Sequence, residues 1–340
     1  MSAVRSTSSG ASAERLRDLA EVPSFPAVYA AALDPRSARR GSRREPTLPE
    51  VAYRVRGVRL DAERARDFDH LMGGPATDLV HPGVLHVLAF PVSLALMARR
   101  DFPFALLGLV HLRNQVLQHR PVRVGERVDV ECRVRDLRPH RKGRTFEAVS
   151  TILGEAGEII ATDVSTYLAK GEGTRDGAED PAGRRDESPE RTENTGGSGG
   201  SVSSSPPERP EHSSRRVFEA PRPTGRWKLP ADAGRRYAAV SGDVNPIHLS
   251  ALSARAFGFP RAIAHGMYTA SRAFTESCVD LSLPLRWDVS FDAPVTLPGT
   301  VLVAYDDDRG SDTVHCVGWR AGSEDKGPRR CFEVEVTTLG

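Results

Sequence analysis

A chain of 340 residues is long enough for two domains of ordinary size, each with a hydrophobic core of its own. Its 47 Lys and Arg nearly balance 45 Asp and Glu, and the formal charge of +2 gives no global field that would hold nucleic acid or an anionic membrane. No apolar run reaches the ~18 residues of a membrane span: the longest candidate, Val84 to Ala98, carries His86 near its start and Pro91 inside, and reads as a core helix.

The N-terminus has no apolar core of the kind a secretory signal needs, so a cytoplasmic location is expected. Residues 1–45 are largely polar and read as a mostly flexible arm, with the basic run Arg39 to Arg44 as a solvated part of it. Within the arm, SFPAVYAAAL (24–33) has enough apolar side chains to dock on the first domain. Domains are expected over 46–170 and 217–340. The stretch 171–216 between them has no aromatic residue and Val202 as its single large aliphatic side chain, a composition that cannot bury enough to fold. Its GGSGGSVSSSPP core is the composition of a flexible linker. Cys132, Cys278, Cys316 and Cys331 lie far apart with neither CxxC nor zinc-like spacing, and are expected to be buried thiols.

The two domains look like copies. RLDAERARDFDHLMG (59–73) aligns without gaps on KLPADAGRRYAAVSG (228–242), an offset of 169 residues. Further on, HPGVLHVLAFPVSLALM resembles IAHGMYTASRAFTESCV once about fourteen residues are allowed as missing from the first copy. RPVRVGERVDVECRV then resembles APVTLPGTVLVAY. Within each copy the pattern runs strand, short helix, long apolar helix, several strands. The strands expected after the helices include Val128–Val134, Thr145–Leu153, Ile159–Leu168, Val301–Tyr305, Thr313–Arg320 and Cys331–Thr338. A helix apolar on nearly every face, followed by antiparallel strands, implies a sheet wrapped around a buried helix. The fold class is therefore α+β, a tandem hot-dog with antiparallel sheets each wrapped around a long central helix.

Chemistry-bearing residues concentrate in the second copy. In SGDVNPIH (241–248) the Asn-Pro pair pushes the chain to extended geometry, which places Asp243 and His248 on a loop. A carboxylate and an imidazole five residues apart on a turn can converge on one small volume, as acid/base work on one pair of carbons requires. The same spacing also suits Asx turns at Asp243 and Asn245 with His248 capping the next helix, and spacing alone leaves both readings open. Ala264-His265-Gly266-Met267 then opens the long helix, where unpaired N–H groups and the positive dipole end can hold an oxyanion. Gly266 permits close approach to the backbone, by a substrate carbonyl or by a packing neighbour. His265 reads as a structural hydrogen-bonding residue.

YAAVSGDVNPIHLS together with AIAHGMYTAS resembles the MaoC-like, (R)-specific enoyl-CoA hydratase domains, over about Phe218 to Leu339. The resemblance implies that Asp243 and His248 bind and activate the reacting water, that Asn245 orients the loop, and that Gly266 donates its N–H to the thioester oxygen. VSFDAPVTLPGT (289–300) looks like the family's strand and turn beyond the helix. Some relatives carry a serine two turns into the helix, where this chain has Phe274; Ser271 and Thr275 are the nearest substitutes. The first half resembles the N-terminal part of two-hot-dog dehydratases through HVLAFPVSLALM and LGLVHLRNQV, but Gly74 falls opposite Asp243 and the catalytic loop is gone. Asp78 and His81, three apart, are the acid/base pair this half still offers, but the half is expected to have lost its chemistry and to supply the acyl pocket.

The reaction expected is reversible hydration of a trans-2-enoyl thioester, of CoA or acyl carrier protein, to the (R)-3-hydroxyacyl thioester. It needs neither a metal nor an organic cofactor. Arg255, Arg261 and Arg286 are candidates for the carrier's phosphate, and a homodimer is left open. Two rivals are a hot-dog thioesterase, for which Glu276 is the acidic residue inside the long helix, and a non-catalytic acyl-thioester-binding module.

Overall fold

The computed structural model describes residues 15–32, 45–171, 218–307, 311–322 and 326–340. In chain order the first half contains β1 (Arg15–Leu19), α1 (Phe25–Ala32), β2 (Val51–Arg59), α2 (Ala62–Met72), α3 (Pro82–Met97), β3 (Leu109–Gln118), β4 (Arg127–His140), β5 (Gly143–Leu153) and β6 (Ile159–Lys170). The second half contains β7 (Gly225–Leu229), α4 (Ala233–Ser241), α5 (Pro246–Leu249), α6 (Ala251–Ala256), α7 (Gly266–Glu276), β8 (Leu285–Phe291), β9 (Gly299–Asp307), β10 (Thr313–Arg320) and β11 (Arg329–Thr338).

Local chemistry sets the helix ends. The Asp61 carboxylate accepts from Arg64 N at the start of α2, which ends at Gly73 in the left-handed region with φ 90°. Its counterpart α4 ends at Gly242 with φ 80°. These two glycines are 169 positions apart, the offset of the sequence repeat. The first copy then runs straight to α3, whereas the second inserts α5 and α6 before α7. The insertion holds Asn245, Pro246 and His248.

Helix α3 is buried on nearly every face and packs on β2, β3, β4 and β5; α7 packs on β11. The two sheets are joined. All eleven strands form one sheet in the order β1-β2-β4-β5-β6-β3-β8-β11-β10-β9-β7, which runs through equivalent strands outward from the central β3-β8 pair. That pair is antiparallel, with Asn114 opposite Val289 and Val116 opposite Trp287. Each strand is the free edge of its own copy's sheet, and pairing satisfies both rows of N–H and C=O groups. The two copies are thus held edge to edge through β3 and β8, and α3 also meets α7.

The arm departs from a mostly flexible segment at two places. Arg15–Leu19 pairs in parallel with Val51–Val55 of β2. Helix α1 buries Phe25, Val28 and Tyr29 and packs on α3, so the described part of the apolar stretch, 24–32, docks as its composition suggests. The bridge expected over 171–216 lies outside the described residues from 172 onward. Cys132, Cys316 and Cys331 are buried, but Cys278 is exposed just after α7, with a positive φ of 54°. Among the described residues no helix is long and apolar enough to cross a membrane.

Candidate active site

The site forms where α4 gives way to α5. Leaving α4 in the left-handed conformation at Gly242 turns the chain sharply, and a Cβ there would stand 2.9 Å from the Phe25 ring. The preceding carbonyls are held from the first half: Arg64 donates Nε–H to Val240 O at 2.8 Å and Nη2–H to Ser241 O at 2.7 Å. A guanidinium at a helix C-terminus satisfies unpaired carbonyls and opposes the negative dipole end.

Asp243 follows immediately. Its N–H donates to Ser241 Oγ at 3.1 Å. Its carboxylate Oδ1 accepts from the Asn245 N–H at 3.1 Å and from the Tyr29 phenol at 2.7 Å. Asn245 caps α5, accepting from Ile247 N at 3.4 Å, with Pro246 at the first helical position. The expected loop is therefore corrected in part. The residue before proline is extended, as it must be, but proline itself fits the first turn of a helix, and His248 sits in that single turn. The Asx turns that spacing allowed are present together with the convergence of the two side chains. His248 does not cap the helix; its Nδ1–H donates to Ile263 O at 2.8 Å.

That hydrogen bond decides the tautomer. A carbonyl can only accept, so Nδ1 carries the proton and Nε2 carries the lone pair in the neutral ring. Burial lowers the pKa of His248, opposed by the charge of Asp243 and the bond to Ile263. His265 stacks on it with centroids 3.7 Å apart and an interplanar angle of 27°. His265 Nε2–H donates to Asp243 O at 3.1 Å, and the same nitrogen lies 3.6 Å from Asp243 Oδ2. Burial lowers the pKa of His265 well below the ordinary histidine value, and the neighbouring His248 adds to that. His265 thus fits the structural role read for it. One ligand atom each from Asp243, His248 and His265 lie within 4.8 Å of one another, a grouping that could also take a metal ion.

Gly266 opens α7, and the start of that helix differs from the start of α3. His81 and His265 are both helix N-caps. In the first copy Gly83 N–H donates to His81 Nδ1 at 2.8 Å, and the space at its Cα is filled by Ser271 Oγ and the Phe68 ring. In the second copy the His265 ring is turned to the Asp243 carbonyl and makes no cap bond. At the first helical position copy one has Pro82, which carries no N–H, where copy two has Gly266. A Cβ on Gly266 would meet the Phe291 ring at 2.8 Å, so close packing is one reason for glycine there.

The remaining candidates are placed away from the pair. Phe274 packs on His81 and Trp287, with centroids 4.7 and 5.2 Å away. Ser271 Oγ points toward Gly83, and Thr275 Oγ1 donates to Ser271 O at 3.1 Å; neither bonds Asp243 or His248. Asp78 is exposed and paired with Arg123, whereas His81 is buried, with its pKa lowered to about 3 by burial. Arg286 is tied to Asp288 at 2.6 Å on β8, and Arg255 Nε donates to Pro260 O at 3.4 Å. Glu276 is ten residues beyond Gly266, about 15 Å along the helix. Its carboxylate is occupied by Trp227 Nε1–H at 2.9 Å, the Tyr305 hydroxyl at 3.0 Å and Arg272 Nε at 2.9 Å.

Sequence reasoning missed Tyr29 and Arg64, which reach the loop from the first half. It also missed a buried polar group behind Phe291. There His111 lies 5.1 Å from the Phe291 ring and 4.8 Å from Tyr167, beside His86, which bonds Asp163 at 2.6 Å. None of these carries a local motif.

The family model for the MaoC like domain matches residues 208–333. The chain is 30% identical over 256 residues to 3-hydroxyacyl-thioester dehydratase X of Mycobacterium tuberculosis, covering 74% of its own length and 79% of that protein. The chain belongs to the MaoC-like dehydratase family, in its two-hot-dog form, and is a hydro-lyase. The solved structure of HtdX from Mycobacterium tuberculosis matches with a TM-score of 0.63 at 25% identity, over 85% of this chain and 100% of that one. A MaoC-like dehydratase from Phytophthora capsici shares the fold, with a TM-score of 0.58 at 17% identity over 85% and 94% of the two chains.

Proposed function

We propose that the chain catalyses reversible hydration of trans-2-enoyl thioesters to (R)-3-hydroxyacyl thioesters carried on CoA or acyl carrier protein. The observation that carries this reading is that a carboxylate oxygen of Asp243 and a ring nitrogen of His248 lie within 4.8 Å of each other, that the Nδ1 bond to Ile263 puts the lone pair of His248 on Nε2, and that His265 makes no side-chain cap bond at the start of α7, where Gly266 follows it. Two acceptors facing one volume suit a single water molecule, which donates one O–H to each. As the water oxygen bonds to C3, one of the pair takes its proton and the electron pair of the double bond shifts toward the thioester oxygen. The Gly266 N–H at the positive end of α7 meets that charge, and an oxyanion donor of this kind is worth ~10²-fold or more. A proton returned to C2 on the same face completes the addition of water. Dehydration retraces the path. No step calls for a metal or an organic cofactor.

The thioesterase reading is disfavoured by Glu276, which is far along α7 and already accepts three hydrogen bonds. The binding-module reading is disfavoured by the intact pair in the second half. Incubation with crotonyl-CoA separates all three. Hydration removes the enoyl absorbance without releasing thiol, and Asp243→Asn should lower the rate by ~10²- to 10⁴-fold with its melting temperature unchanged. Free thiol as the sole product would overturn the proposal, and so would full activity in the variant.

A further inference from the structure

Asp243 does not stand in its site with two equal oxygens. Oδ1 accepts two hydrogen bonds, from the Tyr29 hydroxyl at 2.7 Å and the Asn245 N–H at 3.1 Å. Oδ2 lies 3.6 Å from His265 Nε2. A carboxylate bound through one oxygen by two donors on different elements is held against rotation about its χ2 torsion, which is otherwise soft. The Asn245 N–H alone, two residues along the same loop, is a local Asx bond that moves with the loop. The Tyr29 bond spans 214 positions and fixes the carboxylate to the other half of the molecule.

The placement of Tyr29 is built. Helix α1 seats it through Phe25, whose ring stacks on Tyr29 at 6.4 Å, tilts against Phe90 of α3 at 5.8 Å and fills the space beside Gly242. Tyr29 is 8% exposed. Arg64 holds the two carbonyls just before Gly242. The first half thus grips both the backbone entering the loop and the carboxylate it carries.

We propose that Tyr29 is a positioning residue for the hydratase reaction: its O–H, with the Asn245 N–H, occupies Asp243 Oδ1 and leaves Oδ2 as the oxygen that receives the water proton opposite His248. The inference rests on Asp243 being the water-activating carboxylate. Burial, followed by the charge of Asp243, pushes the Tyr29 phenol well above its ordinary pKa, so the hydroxyl keeps its proton and stays a donor. The half that lost its own catalytic loop therefore completes the site of the other half as well as walling it.

Tyr29 could matter only as a plug of the right size, and two variants of the full chain separate the roles. Tyr29→Phe keeps the ring and loses the hydroxyl; Tyr29→Leu loses both. Hydration of crotonyl-CoA is measured for kcat and KM, alongside thermal unfolding. Positioning through the hydroxyl predicts a ~10- to 100-fold fall in kcat for Tyr29→Phe, as expected for one bond to a charged group, with KM within about 3-fold, the variant fully folded at the assay temperature and Tyr29→Leu at least as slow. A Tyr29→Phe enzyme with wild-type kcat overturns the proposal, whatever Tyr29→Leu does. So does a change confined to KM, or a loss of activity that is accounted for by unfolding of the variant at the assay temperature. The comparison is read on whichever product the wild type forms. Thiol release by the wild type would sink the hydratase reading while leaving the effect of the Tyr29 hydroxyl on the Asp243-dependent rate measurable.

Discussion

The imidazole of His265 lies flat on that of His248, 3.7 Å between centroids, with both rings buried. Protonating either ring places a cation against the other in a site with little water, and burial already favours both neutral forms. The neutral His248 that accepts from water therefore persists to lower pH than a solvent-exposed histidine allows. The acid limb of kcat/KM for hydration should lie below the ordinary histidine range near ~6.5. A pH profile between 4.5 and 8 measures it, and a limb at or above that range would mean that His248 is not held neutral by burial.

Gly266 and Phe291 are a packing pair. A methyl group on Gly266 would stand 2.8 Å from the Phe291 ring, so Gly266→Ala must displace the ring or the start of α7. Overpacking of this kind costs about 1–3 kcal/mol, and moving the helix-end N–H should lower kcat by ~10²-fold. Adding Phe291→Leu should restore the melting temperature by making room for the methyl group. Recovery of stability in the double variant is the expected result. A single Gly266→Ala variant with wild-type stability and rate would show that neither the packing nor the N–H depends on glycine.

Buried histidines set the pH dependence of stability. His81 and His111 are pushed down to about 3 by burial, and His248 and His265 are also lowered. Between an unfolded value near ~6.5 and these folded values, the unfolded chain binds protons that the folded chain does not. Stability from these groups is complete above the unfolded value and falls as pH drops through the window toward 3. Asp69, raised to about 6 by burial, acts with the opposite sign. As one group against four, it offsets only part of the loss. Urea midpoints should be lower at pH 5 than at pH 7, and equal midpoints would contradict the burial of neutral imidazoles.

Asp243, His248 and His265 also make a grouping with a preference for transition-metal ions. Zinc should inhibit hydration by competing with water for His248 Nε2 and Asp243 Oδ2, whereas a chelator added to purified enzyme should leave the rate unchanged. Inhibition that rises with zinc and reverses on chelation is the expected behaviour. Loss of activity on chelation alone would mean that a metal takes part in the reaction.

Much of the fold is legible because its signals are local or periodic. The strands from Val128 to Leu168 and from Val301 to Thr338 announce themselves by β-branched residues, and α3 by an apolar run longer than a strand. Short-range chemistry also placed Asp243, Asn245 and His248 on one turn, though proline's fit at a first helical position gave His248 a helical turn where a loop was expected. Asp243 to Gly266 span 24 consecutive residues, and the offset between Gly73 and Gly242 is written in the repeat. What the sequence by itself determined is a duplicated helix-and-sheet unit with one set of chemical groups in its second copy. The merging of two sheets through β3 and β8, the Arg64 grip on Val240 and Ser241, and the Tyr29 bond to Asp243 were decided by tertiary structure. The physical reason is range. A cap or a turn depends on neighbours three or four residues away and leaves a pattern, whereas a bond across 214 positions depends on how two cores and a docked helix pack, which no period or spacing encodes.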